Sequence, residues 1–423
     1  MPPERASEAT SKPGLGTGPI LLFSLAAAVA VGNLYYVQPL LNEIGREFAV
    51  SDGTSGLLVT VTQIGYLAGL ALIVPAGDMF DRHRLISWMF GACALAALCC
   101  AAAPGFVALA VALVALGVLA VVAQVVLPYA AALASPEQRG EVVGRILGGA
   151  LVGILLARAA SGLVAEAGGW RLVYVCAAAM MAALGLFLHR LLPAETAAPG
   201  GSYRGNLRSV FRLVTEEPVL RQRIALGACI YACFSLLWTA LTFLLGSAPY
   251  EYGEGTIGVF GFAGLAGIVI APISGRFVDR GHVRLATTLF LCALVASWAL
   301  LLAGRSSLVP LVIGVVVLDM AVQGAHINNQ ATIYGLRSGA GGRLITGYQV
   351  SIFTGLIVGS ALAALSYELA GWPAVCGLGA AFAVLALAIW ARTGGAPRGS
   401  EQLAEGSERG QDEDAVSAVP PFD

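Results

Sequence analysis

Charge is what this chain lacks. Only 12% of its 423 residues are charged, whereas 58% are apolar; a typical soluble domain carries about 25% charged residues. A water-soluble globular surface is therefore excluded. The net charge of −1 gives a nucleic-acid partner no electrostatic support. The eight cysteines fall in or beside apolar stretches, with neither metal-ligand spacing nor a disulfide framework. No glycine-rich loop runs into Lys-Ser or Lys-Thr, so a nucleotide-phosphate cradle is missing. Nor does an acidic or histidine cluster lie at a membrane face, as a metal-dependent lipid-linked transferase would need. No cofactor and no metal are implied.

Long apolar runs are abundant. Twelve of them cover about 20–41, 54–76, 85–103, 106–134, 143–165, 171–192, 222–246, 255–275, 284–303, 307–333, 343–366 and 372–391. A helix needs about 20 apolar residues to cross a bilayer. The 53 glycines fit as well, since membrane helices tolerate glycine better than soluble ones. Ala103-Pro104-Gly105 and Gly304-Arg305-Ser306 supply the two tightest turns. The first run is too long for a cleavable signal and lacks a small-residue cleavage site after it. The expectation is an all-α membrane protein of twelve transmembrane helices, numbered here as spans 1 to 12.

Charge placement supports this map. Of 24 Lys and Arg residues, 20 fall at alternate connections beginning with the N-terminal tail, three at the others, and Arg158 inside span 5. The positive-inside rule then places both termini in the cytoplasm. The expected organisation is a disordered tail 1–19, a six-helix half 20–192, a basic cytoplasmic linker 193–221, a second half 222–392 and a disordered acidic tail 393–423.

Two charged loops repeat. Gly77-Asp78-Met79-Phe80-Asp81-Arg82 separates spans 2 and 3; Gly275-Arg276-Phe277-Val278-Asp279-Arg280 separates spans 8 and 9, 198 residues later. Span 5 falls on span 11 at a shift of 202, matching Gly140 to Gly342, Gly153 to Gly355, Glu166 to Glu368, Gly169 to Gly371 and Trp170 to Trp372. Six spans separate the copies, so the repeats are parallel, one of the plans on which transporters are built. Small-xxx-small spacing at Gly149/Gly153 and Gly355/Gly359 suits close helix packing.

The doubled GxxxDR loop on twelve spans resembles the major facilitator superfamily over about residues 20–392. The run Asn33-Leu34-Tyr35-Tyr36-Val37-Gln38-Pro39-Leu40-Leu41 is similar to its bacterial drug:proton antiporter branch. That resemblance implies two six-helix pseudo-symmetric bundles and alternating access. It also implies export of a small solute across the cytoplasmic membrane by a monomer, with protons as coupling ion. Span 5 reads Ala157-Arg158-Ala159-Ala160-Ser161-Gly162 where the antiporter pattern carries Gly-Pro. Proton symport or facilitated uptake of a metabolite, and a non-transporting sensor, therefore stay open. The resemblance makes Gly77, Asp78, Asp81, Arg82, Gly275, Asp279 and Arg280 gating residues. Fixing topology and anchoring an interface is their simpler alternative.

Ionisable residues inside spans are expensive, about 2.5–3.5 kcal/mol on insertion scales, and so mark cavities or partners. Asp319 lies near the middle of span 10, and Gln323, His326 and Gln330 follow at spacings of 4, 3 and 4 on one helix face, with Asn329 beside them. Arg158 is the other deep charge. Three readings compete: a switchable Arg158–Asp319 pair, an anion site at Arg158 with the proton on Asp319, or a static structural pair. His326 is either a proton relay or a hydrogen-bonded structural residue. Span 7 carries Tyr231, Ser235 and Trp238 on one face; span 1 offers Asn33 and Tyr36, and span 4 Gln124. The family places spans 1, 4, 7 and 10 around the central cavity, which makes these residues its expected lining.

Overall fold

The computed structural model describes residues 15–74, 81–191, 212, 214–336 and 341–392. These residues form helices and turns, with no strand among them. Ten helices are long and apolar enough to cross a membrane, by length and composition. One of them, Leu344–Arg392, runs 49 residues and breaks at Ala370 and Gly371, so it holds two spans. The remaining span is Thr17–Gly32, only 16 residues long. Its chain unwinds through residues 33–37 before a 3-10 turn, Gln38–Leu40, and a short helix, Leu41–Phe48. The twelve expected spans are thereby accounted for.

The others follow in order. Span 2 is Asp52–Leu72, span 3 Arg82–Ala101, span 5 Arg139–Gly168 and span 6 Trp170–Leu191. Span 4 has two segments, Phe106–Ala120 and Val122–Leu133. Span 7 is Pro218–Gly246, span 9 Val283–Ala303 and span 10 Leu308–Tyr334. Span 7 starts four residues before the expected 222, because Pro218 suits a first helical turn. Most of the expected linker, residues 1–14 of the expected first tail and all of 393–423 lie outside the described residues, and span 1 already begins at Thr17. Span 8 departs most: Glu254–Val259, a 3-10 turn Phe260–Gly264, then Leu265–Asp279.

Local chemistry sets several ends. Ser51 Oγ accepts from the Thr54 amide at 3.2 Å and caps span 2. Gly169 has φ 80° and ψ 164°, and Gly371 has φ 66° and ψ −161°. That region is open essentially to glycine alone. The two glycines are 202 residues apart and make the same turn between spans 5 and 6 and between spans 11 and 12. The duplication is thus visible in the backbone. The change of shift has a place too. Gly53 and Gly255 are 202 apart, Gly77 and Gly275 only 198. The second copy is shorter by four residues between these glycines, within span 8, the span that carries the 3-10 turn.

Helix neighbours repeat in the same way. Spans 1 and 5, 2 and 4, and 3 and 6 pack together in the first half; spans 7 and 11, 8 and 10, and 9 and 12 do so in the second. Between halves, span 2 meets span 11 and span 5 meets span 8, again an exchange of equivalents. Lipid gives helices no hydrophobic reason to associate, so close backbone packing must do it. A Cβ on Gly153 would collide with the Ala28 carbonyl of span 1, and one on Gly355 with the Ala228 carbonyl of span 7. One buried apolar cluster fills the first bundle and takes in Tyr348, Ile352, Phe353 and Leu356 of span 11; a second fills the other bundle.

Candidate functional site

Trp238 sits between the two deep charges. Its indole Nε1 donates to Asp319 Oδ1 at 3.1 Å, and its ring lies 4.1 Å from the Arg158 guanidinium. Tyr35 at 4.7 Å and Phe234 at 5.5 Å add two more ring faces to that cation. Arg158 Nε donates to Gln38 Oε1 at 2.6 Å. Arg158 and Asp319 are 2% and 5% exposed, yet no ion pair joins them. Of the three readings open from sequence, none has its direct contact here: an indole lies between the cation and the acid. Cation–π contacts contribute about 0.5–2 kcal/mol each. Three of them with a charge-assisted hydrogen bond offset much of the burial of the guanidinium.

The break in span 8 makes room for this arrangement. A Cβ on Gly261 would come within 2.9 Å of Arg158 Cβ, and one on Gly264 within 3.2 Å of Asp319 Oδ2. A small cavity opens beside Arg158, lined by Gln38, Pro39, Trp238, Leu241, Thr242 and Ile257. Arg158 Nη2 is buried and has no hydrogen-bond partner among the described residues. The site therefore draws on spans 1, 5, 7, 8 and 10, and its cation and its acid belong to different bundles.

A second polar cluster lies two helical turns along span 10. His326 Nδ1 is 3.1 Å from Tyr348 Oη, and Asn329 Nδ2 donates to the same hydroxyl at 3.3 Å. Arg223 Nη1 donates to Asn329 Oδ1 at 3.0 Å, with its guanidinium 4.9 Å from the Trp390 ring. Tyr231 is half-buried and meets His326 edge-on at 5.5 Å. Gln323 is half-buried against Gly267 of span 8.

The remaining expected lining residues scatter. Asn33 is 1% exposed, and its Nδ2 donates to the Val29 carbonyl of its own helix at 3.0 Å. It terminates an unwinding helix and packs on Met181 of span 6. Tyr36 is buried beside Gly32 and Ala157. Gln124 donates to Tyr66 Oη at 3.2 Å. Ser235 is buried and accepts from Gln63 Nε2 at 3.5 Å. Gln63 also accepts from Ser360, which bonds Thr60 at 2.8 Å, so spans 2, 7 and 11 are tied near their middles.

Cross-bundle bonds concentrate toward the end opposite residues 15 and 392, here the far end. Asn42 Nδ2 donates to the Thr242 carbonyl at 2.9 Å, and Thr242 Oγ1 donates to the Gln38 carbonyl at 2.9 Å. Arg46 pairs with Glu254 at 2.6 Å. The Glu166 carboxylate rests on Gly255 and the Glu368 carboxylate on Gly53, each pair 202 residues from its counterpart. Each acid thus sits at the positive N-terminus of a helix in the other bundle.

Of the expected gating residues, Gly77 and Asp78 lie outside the described residues. Asp81 caps span 3, accepting from the His83 amide at 3.0 Å, with Arg84 at 3.5 Å from its other oxygen. Arg82 opens that helix. Asp279 ends span 8 and Arg280 follows as its C-terminal cap. Gly275 has open space where a Cβ would stand, so no close helix approach requires glycine there. Gln38, Tyr35, Phe234, Tyr348 and Arg223 were missed from sequence. The Gly258, Gly261, Gly264, Gly267 spacing was the available signal for the break in span 8.

Two related six-helix bundles around a charged cluster that both must share define a membrane transporter. The chain belongs to the Major Facilitator Superfamily, whose profile matches residues 23–343. It is 42% identical over 373 residues to the "Uncharacterized transporter YgaY" of Escherichia coli O157:H7, covering 88% of this chain and 95% of that one. It is 31% identical over 366 residues to the "Probable transporter SCO4007" of Streptomyces coelicolor, covering 86% and 85%. The crystal structure of the nucleoside transporter NupG aligns with a TM-score of 0.73 over 88% of this chain and 99% of that one. At 13% identity the likeness is one of fold alone.

Proposed function

We propose that this protein moves a small organic solute across the cytoplasmic membrane by proton-coupled alternating access, with Asp319 as the proton carrier. One observation carries the reading. Asp319 and Trp238 belong to the second bundle, and the Arg158 they face belongs to the first. Any rocking that separates the bundles at this level must break the cluster. The charge on Asp319 then biases the equilibrium between states by its differential interaction with Arg158. One proton moving through 100 mV supplies about 2.3 kcal/mol, enough for a useful solute gradient.

Other residues take roles around that centre. His326 and Tyr348 offer the proton an onward route along span 10. The half-buried Tyr231, Gln323 and Gln124 line the solute path. Asp81 and Arg82, with Asp279 and Arg280, form the cytoplasmic latch. Both termini are cytoplasmic, and the unit is a monomer. The Asn33–Leu41 likeness supports export in exchange for protons. A second reading, movement of an acid together with a proton, is favoured by the unpartnered Nη2 of Arg158.

The test is solute flux in proteoliposomes under an imposed pH gradient, run in both directions. Wild-type protein should move solute against its gradient, and Asp319→Asn should exchange solute without responding to pH. An Asp319→Asn protein that still couples flux to the gradient removes the assignment.

A further inference from the structure

We propose that the solute carries one carboxylate, bound on Arg158 Nη2, and that it crosses together with the proton on Asp319. This rests on the second reading above, movement of an acid together with a proton, rather than on exchange, and names its substrate class. Arg158 is 2% exposed, and its Nε is committed to Gln38 while its planar faces are covered by aromatic rings. Nη2, with two N–H donors, is buried and unpartnered among the described residues, and Arg158 is one of the residues that line the cavity. A guanidinium edge is matched to a carboxylate. The rest of the cavity wall, Pro39, Leu241 and Ile257, is apolar; the space is about water-sized in this state, so the solute body enters only when the bundles part.

Charge balance fixes the class further. Around Arg158, Asp319 of span 10 and Tyr35 of span 1 are the titratable groups; span 7 brings Phe234, Trp238 and Thr242, and span 8 brings glycines and Ile257. An ionised Asp319 is therefore the counter-charge to the buried guanidinium. Once a proton takes that charge away, the cation stands unbalanced, and a solute monoanion restores the balance. Proton and anion thus favour each other's binding, which is the requirement for moving in the same direction. A dianion would bring a second charge with no partner, a large penalty in a buried site. An amine would face Arg158 directly and be repelled.

The probes are acetate, hexanoate, benzoate and phenylacetate, each with its neutral amide and its amine. Ligand-induced shifts in melting temperature on detergent-purified full-length protein report binding. At least one carboxylate should stabilise the protein and its amide and amine should not. Binding should tighten about tenfold per unit fall in pH above the Asp319 transition, the signature of one linked proton. Arg158→Gln should weaken binding about 10- to 100-fold, as loss of a charged hydrogen-bond partner does. Arg158→Lys should keep part of it, and Asp319→Asn should bind with no pH dependence. The proposal is overturned if no carboxylate binds, if amide or amine binds as well, or if Arg158→Gln matches wild type. Binding that passes these tests without pH-driven flux would instead overturn the transport reading and leave the site in place.

Discussion

Replacing Gly258 with alanine should prop the far end of the two bundles apart. Gly258 lies in span 8 against span 5 of the other bundle. An added Cβ would stand 2.6 Å from the Arg158 carbonyl oxygen, 3.1 Å from Gly162 Cα and 3.3 Å from the Ala159 carbonyl oxygen. Ordinary contact begins near 3.4 Å, so the helices must separate by roughly 0.8 Å. All three neighbours are backbone and cannot rotate away. Overpacking of this kind costs about 1–3 kcal/mol. The penalty falls only on states in which spans 5 and 8 touch here. The ratio of closed to open molecules should fall about 5- to 150-fold, the range those energies imply. Gly258→Val should do more. Spin labels at Ala167 and Thr256, both exposed at this end, report the separation by pulsed electron resonance, once the exposed Cys99, Cys176 and Cys292 have been replaced. The longer distance should gain population and solute flux should slow. Gly91→Ala, with nothing near its Cβ, is the control. Unchanged distances and flux in both Gly258 variants would refute the reasoning.

Three further outcomes are expected. Gly169→Ala and Gly371→Ala force a side chain into a glycine-only conformation and should each cost about 1–3 kcal/mol, read as a lower melting temperature, while Gly148→Ala, in open space, should not. Trp238→Phe keeps a ring under Arg158 but removes the donor to Asp319; leaving that carboxylate short of a partner costs about 1–3 kcal/mol and should show as lower thermal stability and reduced pH-driven flux. Burial raises the Glu47 pKa, but hydrogen bonds from Arg171 and Trp170 outweigh it and hold the carboxyl below the ordinary range. A lowered folded value means the stability it adds is present above its unfolded pKa and fades as pH falls. Glu47→Gln should therefore lower the melting temperature at pH 7, and the difference from wild type should vanish once the pH has fallen through the lowered folded value. The effect is under about 1 kcal/mol, because the side chain is 39% exposed.

The spans, the doubled loop and the shifted repeat were legible in the sequence because bilayer thickness and charge placement leave few alternatives. Asp319, Arg158 and the Tyr231–Trp238 face were legible for the same reason: polarity at membrane depth needs a partner. What the partner is was not. An indole between two charges depends on which helices are neighbours and on the turn that lets span 8 pass. Span 8 reads as apolar throughout, so only its glycine spacing hinted at the break. Asn33 looked like cavity lining because its helix was expected to continue, whereas the chain unwinds and the amide satisfies its own carbonyls. Arg223 falls in the first turns of span 7, just past the basic linker, and drew no expectation, yet it is 2% exposed beneath Trp390. Long side chains at helix ends can turn inward, and composition does not say which will.

The far-end contacts show the duplication at the meeting of the two bundles. Two acids, Glu166 and Glu368, occupy equivalent places and reach across to equivalent helix starts. The same half was used twice, and each copy makes the same contact on the other.

The most direct measurement is proton flux itself. A pH-sensitive dye sealed in proteoliposomes should record proton movement whenever solute moves through wild-type protein, and none when solute moves through Asp319→Asn. Solute-dependent proton flux of equal size in both proteins would contradict the account at its centre.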